Sequence, residues 1–363
     1  MKKILLFGGT FDPIHNAHIN LCEIAFKTIA ADLCYIILAK NPRWKTPFSR
    51  PEDRLNMLKL ALQDKPNFKI SLIEYNSKDD ITYTYNTIVE FKKTIKDDLY
   101  YLIGADQLNK LHEWYKIDEL SKMVKFVVFR RYGYELNVDN LKKYNCQLIE
   151  AKKMDISSTH IRLLNRLDCP KSVLDYIAKN ELYYTNILKD YITVKRLKHS
   201  FSVANLAYDI AKSNNQNALK AYQAGLIHDI AKNIDKDESI KMMNDHFPQY
   251  VDRIGEWGYH QFLAVVIAKE IFKIEDEEIL SAIKYHATGK KDMTPLAMII
   301  YCSDKLDPTR GWDSKKLIES CKKDYKQGFK DVLKDNIKYF EKNNIDYLND
   351  LSKECIDYYL NEE

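Results

Sequence analysis

Apolar residues recur along this chain in two regimes. Up to about residue 150, short apolar runs alternate with longer stretches of helical spacing. Ile4 to Phe7 reads as a buried parallel strand, and Asn16 to Ile29 carries helical periodicity. Leu33 to Leu38, Phe68 to Ile73, Leu99 to Ile103, Lys125 to Phe129 and Gln147 to Ile149 read as further strands. Pro51 to Gln63 and Tyr83 to Thr94 read as helices between them. Such alternation predicts an α/β doubly wound parallel sheet, with ligand bound in the crevice at the strand C-termini. After Tyr184 the alternation stops and every later segment reads helical. Helices are expected at about 195–213, 217–229, 237–245, 258–272, 276–285 and 294–304. Two or more follow in a charged tail, which beyond Lys315 reads as a solvated helical extension. A short linker near Thr185 to Lys189 marks the boundary, giving two domains, 1–186 and 187–363.

Composition changes this picture little. A net charge of +4 on 363 residues is small, so no nucleic-acid partner is implied. The seven cysteines are scattered and form no C-x-x-C pair, which suggests reduced thiols. No signal-peptide pattern precedes the first strand, and no run approaches membrane-span length. A soluble, cytoplasmic protein is expected, with no membrane partner; an oligomer is allowed.

Candidate chemistry in the first region gathers after strand ends. Gly8-Gly9-Thr10-Phe11-Asp12-Pro13-Ile14-His15-Asn16-Ala17-His18 follows the first strand and opens a helix. Its glycines let backbone N–H groups approach a phosphate, and the helix start adds a positive dipole end. His15 and His18 fall on one side of that start, where they can donate hydrogen bonds to phosphoryl oxygens. The plain alternative is a glycine turn with surface histidines. Asn41 to Lys45, Arg50 and Arg54 make a basic loop after the second strand, suited to phosphate recognition or to solvent. The threonines of Thr82 to Thr87 either merely cap a helix or mark exposed N–H groups at Thr84 that suit a carboxylate. Asp106 lies just past a strand end, where a carboxylate accepts ribose hydroxyls, and Trp114 is either core or a stacking ring. Ser157, Ser158 and Thr159 either merely cap a helix or also present hydroxyls and N–H groups to an anion; Arg162 lies one turn in.

Taken together, G-G-T-F-D-P-I-H, the two histidines, G-A-D…W and I-S-S-T-x-I-R resemble the H-x-G-H nucleotidyltransferase superfamily. The form is most similar to nicotinate mononucleotide adenylyltransferases, over residues 1 to about 186. Ala17 stands where the family has glycine. The resemblance implies a Rossmann-like fold and adenylyl transfer from ATP to nicotinate mononucleotide, with Mg²⁺ on the phosphates. It implies His15, His18 and Arg162 as catalytic residues. It places Gly8, Gly9, Thr10, Phe11, Lys45, Ser157, Ser158 and Thr159 around ATP. Thr84 would hold the nicotinate carboxylate, Asp106 the ribose and Trp114 the nicotinate ring. Nicotinamide mononucleotide and phosphopantetheine remain rival acceptors.

In the second region His199, His228, Asp229, His260, His286 and Asp304 recur across one all-helical segment. Imidazoles and carboxylates gathered by several helices are ligands for first-row transition metals, and a carboxylate beside a histidine can bridge two ions. Each histidine alone reads as readily as an ordinary core or surface residue. The H…HD…H…H…D order resembles the HD phosphohydrolase superfamily. Arg196-x-x-His199, His228-Asp229-Ile230-Ala231-Lys232, Tyr285-His286-Ala287-Thr288-Gly289 and Ser303 to Arg310 resemble the symmetrical diadenosine tetraphosphatases, which split Ap4A into two ADP. The resemblance implies an all-α HD domain with two transition-metal ions, expected to be iron. One would take His199, His228, Asp229 and Asp304; the other would share Asp229, the catalytic bridge, and take His260 and His286. Lys232 and Arg310 would bind substrate phosphates. Gln261 stands where the family has glycine after the third histidine. Action on other nucleotides, or a regulatory module without catalysis, are the alternatives. His112 and His246 receive no role.

Overall fold

The computed structural model describes residues 1–40, 46–77, 82–130, 135–150, 156–343 and 349–361. The chain forms two compact units. The first comprises Met1–Arg162 and Asp168–Tyr183, the second Leu163–Leu167 and Tyr184–Glu363.

The first unit is a six-stranded parallel sheet in the order β3-β2-β1-β4-β5-β6. The strands are β1 (Lys3–Gly9), β2 (Leu33–Leu38), β3 (Phe68–Ser71), β4 (Asp98–Gly104), β5 (Lys125–Phe129) and β6 (Gln147–Ile149). Helices α1 (Asn16–Thr28), α2 (Pro51–Leu62), α3 (Thr84–Thr94), α4 (Ala105–Asn109), α5 (Ile117–Met123), α6 (Val138–Lys143), α7 (Ser158–Arg162) and α8 (Lys171–Lys179) complete it. The doubly wound reading is correct. The strand order reverses between β1 and β4, whose register pairs Leu6 with Tyr101. In doubly wound sheets such a switch point is where ligands bind, which here is the C-terminal end of β1. Ile4, Leu6, Tyr101, Ile103, Phe126 and Val128 form the core under one face. β3 stops at Ser71, two residues short of the apolar run.

The second unit is all helical: α9 (Tyr184–Tyr191), α10 (Val194–Ser213), α11 (Ala218–Ile227), α12 (Lys236–His246), α13 (Tyr259–Glu270), α14 (Glu277–Lys284), α15 (Pro295–Lys305), α16 (Lys315–Lys323), α17 (Tyr325–Lys342) and α18 (Asp350–Ile356). Its helix starts follow side-chain caps. Thr193, Asn217, Asp276 and Thr294 each accept from a backbone N–H of the following first turn. No helix among the described residues is long and apolar enough to cross a membrane.

Two expectations are corrected here. Thr185 to Lys189 is not a linker but lies inside α9, with Tyr184, Thr185 and Leu188 buried. Asn186 lies on the exposed side of this helix while Thr185 is buried, so a polar stretch reads as a linker when burial is unknown. The tail beyond Lys315 is not a solvated extension. Cys321, Phe329, Val332, Leu333, Leu351 and Cys355 are buried, so α16 to α18 are part of the unit's packing.

Candidate active sites

In the first unit the turn after β1 is held from three directions. The Asp12 carboxylate accepts from the N–H groups of Phe48 (2.6 Å) and Ser49 (3.3 Å) and from the Ser49 (2.6 Å) and Tyr183 (2.8 Å) hydroxyls. The Arg54 guanidinium donates to the carbonyls of Thr10 (3.0 Å), Ala39 (2.5 Å) and Lys40 (2.7 Å). Arg54 is completely buried, so it is a loop clamp and no phosphate ligand. Arg50 pairs with Asp53. From α7, Arg162 Nη1 donates to the Asp12 carbonyl (2.7 Å), and Ser158 Oγ to that of Pro13 (3.0 Å). The closing motif is therefore docked directly on the glycine turn, 150 positions earlier in the chain.

Inside this frame the His15 and His18 rings stack, with centroids 3.7 Å apart and planes 24° apart. Phe11, at φ 48°, meets His18 edge-on at 5.2 Å. Burial, with the nearby charge of His160, pushes the His15 pKa down to about 3, so His15 stands neutral. Gly8 and Gly9 end β1: a Cβ on Gly8 would lie 2.5 Å from the Tyr101 hydroxyl, and one on Gly9 2.8 Å from the Phe11 ring. Thr10 is buried beside them. The Ser157 hydroxyl accepts from the His160 N–H (3.3 Å), and Thr159 Oγ1 accepts from Arg162 Nη2 (2.8 Å). Thr84 opens α3. Asp106 sits in the first turn of α4. The Trp114 ring packs edge-on against Tyr101 (6.2 Å) and Phe126 (6.1 Å), half-buried on the core. Lys45 lies outside the described residues. Sequence reasoning missed Asp12 and Tyr183 as turn anchors; an acidic residue before proline in a glycine turn was the available signal.

In the second unit six residues from different elements converge. A Cβ on Gly225 would lie 2.6 Å from the Ala204 Cα, so α11 lies close against α10 and its end reaches His199. Asp229 then sits between two pairs of imidazoles. Its Oδ2 lies 3.7 Å from His199 Nε2 and 3.6 Å from His228 Nε2. Its Oδ1 lies 3.3 Å from His260 Nε2 and 3.5 Å from His286 Nε2. Asp304 Oδ1 is 3.2 Å from His199 Nε2 and 3.7 Å from His228 Nε2. His199, His228 and Asp229 form one candidate metal triad, and Asp229, His260 and His286 another.

The tautomers follow from the outer hydrogen bonds. Nδ1 of His228, His260 and His286 faces the carbonyls of Gly225 (2.8 Å), Trp257 (2.9 Å) and Ile283 (2.7 Å). A carbonyl only accepts, so each Nδ1 carries a proton and each Nε2 is the atom turned inward. His199 Nδ1 meets the Asp307 carboxylate in the same way at 2.6 Å. The Nε2 atoms of His199 and His228 are buried with no hydrogen-bond partner among the described residues. The converging imidazole nitrogens and carboxylate oxygens make a donor set that fits divalent metal. Burial opposes ionisation of Asp229, but the His228, His260 and His286 imidazoles outweigh it and hold its carboxyl well below the usual range. Burial also opposes the Asp304 charge, which Lys305, His199 and His228 outweigh.

The cage opens into a cavity of about 310 Å³. Arg196 Nη1 reaches Asp229 Oδ2 at 2.6 Å, and Arg310 Nη2 reaches Asp304 Oδ1 at 2.6 Å. Lys232 Nζ lies 3.3 Å from His260 Nε2. The altered residue after His260 has a local function. Gln261 Oε1 accepts from the Ala287 (3.1 Å) and Thr288 (3.2 Å) N–H groups, tying α13 to the turn that carries His286. Arg196, Asp307 and Gln261 escaped sequence reasoning as site residues. Arg196, one helical turn before His199, was the legible one.

A parallel sheet with a glycine turn and paired histidines at its switch point defines a nucleotidyltransferase-like domain. The helical His/Asp cage defines an HD domain. Residues 6–164 match the cytidylyltransferase-like family and residues 196–309 the HD domain family. Among curated relatives, the "Probable nicotinate-nucleotide adenylyltransferase/Ap4A hydrolase" of Mycoplasma genitalium is 32% identical over 346 residues, covering 92% of this chain and 97% of that one. Its Mycoplasma pneumoniae namesake is 30% identical, covering 91% and 98%. The "Nicotinate-nucleotide adenylyltransferase" of Bacillus subtilis is 32% identical, covering 50% of this chain and 99% of its own length. The chain belongs to the family of two-domain proteins, represented by the Mycoplasma pair, in which a cytidylyltransferase-like domain precedes an HD domain.

Proposed function

We propose that this chain is a bifunctional enzyme of NAD biosynthesis and dinucleotide hydrolysis. Its first unit transfers AMP from ATP to nicotinate mononucleotide, giving nicotinate adenine dinucleotide and pyrophosphate. Its second unit adds water to Ap4A and releases two ADP. The names of the relatives support both halves, and the stacked His15–His18 pair supports the first. The observation that carries the second is the Asp229 carboxylate shared by two imidazole pairs.

In the first reaction a 5′-phosphate oxygen attacks the α-phosphorus in line, and the bond to the β-phosphate oxygen breaks. No protein nucleophile takes part. His15 and His18 donate hydrogen bonds to the phosphoryl oxygens, and Arg162 stabilises the charge that builds on the leaving group. Backbone N–H groups of the Gly8–Phe11 turn and the Ser157–Thr159 hydroxyls position the triphosphate. Lys45 would add a cation for the ATP phosphates. Thr84 holds the nicotinate carboxylate, Asp106 the ribose and Trp114 the ring. Mg²⁺ accompanies the triphosphate and neutralises part of its charge.

In the second unit His199, His228, Asp229 and Asp304 would hold one ion, and Asp229, His260 and His286 a second; we expect iron. When bound, such ions supply Lewis-acid polarisation of a phosphoryl group. Lys232 and Arg310 bind the flanking phosphates, and the Nδ1 partners fix the orientation of the imidazoles. All seven cysteines are free thiols, as a reducing cytoplasm requires.

Product analysis tests the proposal directly. With ATP and nicotinate mononucleotide, the expected products are the acid dinucleotide and pyrophosphate; a preference for the amide mononucleotide refutes the acceptor. With Ap4A the expected product is ADP alone; ATP plus AMP refutes symmetric cleavage. A purified chain that neither holds nor recruits transition metal refutes the metal-dependent hydrolase.

A further inference from the structure

The cavity at the second site is lined by two chemically different groups of side chains. One holds Asp229, His260, His286 and Asp304 with the cations Lys232 and Arg310. The other is largely apolar and comes from the C-terminal helices. Leu333, Asn336, Ile337 and Phe340 of α17 line it, with Ile356 at the end of α18. Spacings of three and four residues put the α17 four on one helix face. The HD match ends at 309, so that match assigns this face nothing.

An apolar wall sharing a cavity with a cage of charges gains no stability by itself, because apolar surface is buried favourably only against apolar surface. It suits a ligand that is anionic at one end and apolar and flat at the other. The volume of about 310 Å³ lies at the small end of ligand pockets and is on the order of one nucleotide. Asn336 adds direction. Its Nδ2 donates to the Tyr301 hydroxyl at 3.2 Å, which fixes the amide plane and leaves Oδ1 as an acceptor for an exocyclic amino group. Phe340 offers a ring for base stacking.

We propose that the α17 face is the base-binding subsite of the second site, selecting an adenine nucleotide phosphoanhydride over a bare polyphosphate. This rests on the reading of that site as a phosphoanhydride hydrolase. Phosphates lie beside the cations, and the base enters between Phe340, Ile337 and Leu333.

The test uses the full, metal-loaded chain and compares inhibition of Ap4A hydrolysis by ADP and by inorganic pyrophosphate. Wild type is expected to bind ADP at least about tenfold tighter than pyrophosphate, as stacking predicts. Phe340→Ala and Asn336→Ala are expected to weaken ADP about tenfold and pyrophosphate less than about twofold, and Phe340→Tyr to keep the preference. Equal inhibition of wild type by both anions overturns the subsite. So does equal weakening of both by the variants, with metal content on the same samples reporting the fold. If wild type does not cleave Ap4A, the hydrolase reading fails by itself. The metal-dependent part of ADP and pyrophosphate binding, read by calorimetry with and without chelator, then decides the wall by the same comparison.

Discussion

His199 donates its Nδ1 proton to Asp307 Oδ2 at 2.6 Å, and Asp307 has no solvent exposure. Burial opposes the Asp307 charge, but the hydrogen bond from His199 outweighs it and holds the carboxyl well below the usual range. Asp307 therefore fixes the His199 tautomer and raises the basicity of Nε2. Asp307→Asn keeps the shape and removes the charge. Metal affinity at the second site is expected to fall by about 10- to 100-fold, measured by chelator competition, while adenylyl transfer is unchanged. Retention of wild-type affinity would show that Asp307 serves only to cap the turn at Thr309.

Gly225 is where α10 and α11 touch. A methyl there would approach the Ala204 Cα to 2.6 Å, and neither backbone can give way cheaply. Gly225→Ala is expected to destabilise the second unit by about 1–3 kcal/mol through overpacking. His228 and Asp229 follow directly on the displaced helix, so hydrolysis falls further than stability alone accounts for. Denaturant unfolding followed alongside metal content reads both effects.

Gln261 accepts from the N–H groups of Ala287 and Thr288 in a completely buried position. Gln261→Ala leaves those donors without that acceptor, at a cost of about 1–3 kcal/mol. The turn carrying His286 loosens, and the metal shared by His260 and His286 is expected to dissociate first. Metal stoichiometry falling from two toward one supports this; simultaneous loss of both does not.

The first unit should respond to acid through His15. Its folded pKa of about 3 lies below the ordinary 6.5 because of burial and His160. The unfolded chain therefore binds the proton more readily, and stability is lost as pH falls from 6.5 toward 3. His15→Gln is expected to lack this component, shown by a shallower decline of unfolding free energy over that range. The His15 ring resonances of wild type should not titrate between pH 8 and about 5.

His18 is half-exposed and stacked on His15, poised to donate to phosphoryl oxygens. His18→Ala is expected to lower kcat for adenylyl transfer by about 10²-fold or more, the scale for loss of a transition-state donor. Hydrolysis by the second unit stays unchanged. An equal loss in both activities would point to misfolding instead of chemistry.

Local pattern alone carried the β1–turn–α1 unit, the alternation behind the parallel sheet and the helical period after Tyr184. Each depends on residues close in sequence: apolar spacing, glycines at a turn, caps at helix starts. The candidate metal-site order His199, His228, Asp229, His260, His286 and Asp304 was legible for the same reason, because a few residue types with strong chemistry stand out against any background. Tertiary structure alone decided what long-range burial controls. Arg54 read as a basic phosphate ligand and became a buried clamp on three carbonyls. Thr185 to Lys189 read as a linker and became part of a packed helix. The charged tail lines the same cavity as the candidate metal site, on an α17 face whose apolar residues are too few to announce their purpose. Charge and polarity are properties of a residue, whereas burial belongs to its surroundings, and those are set only once distant segments meet.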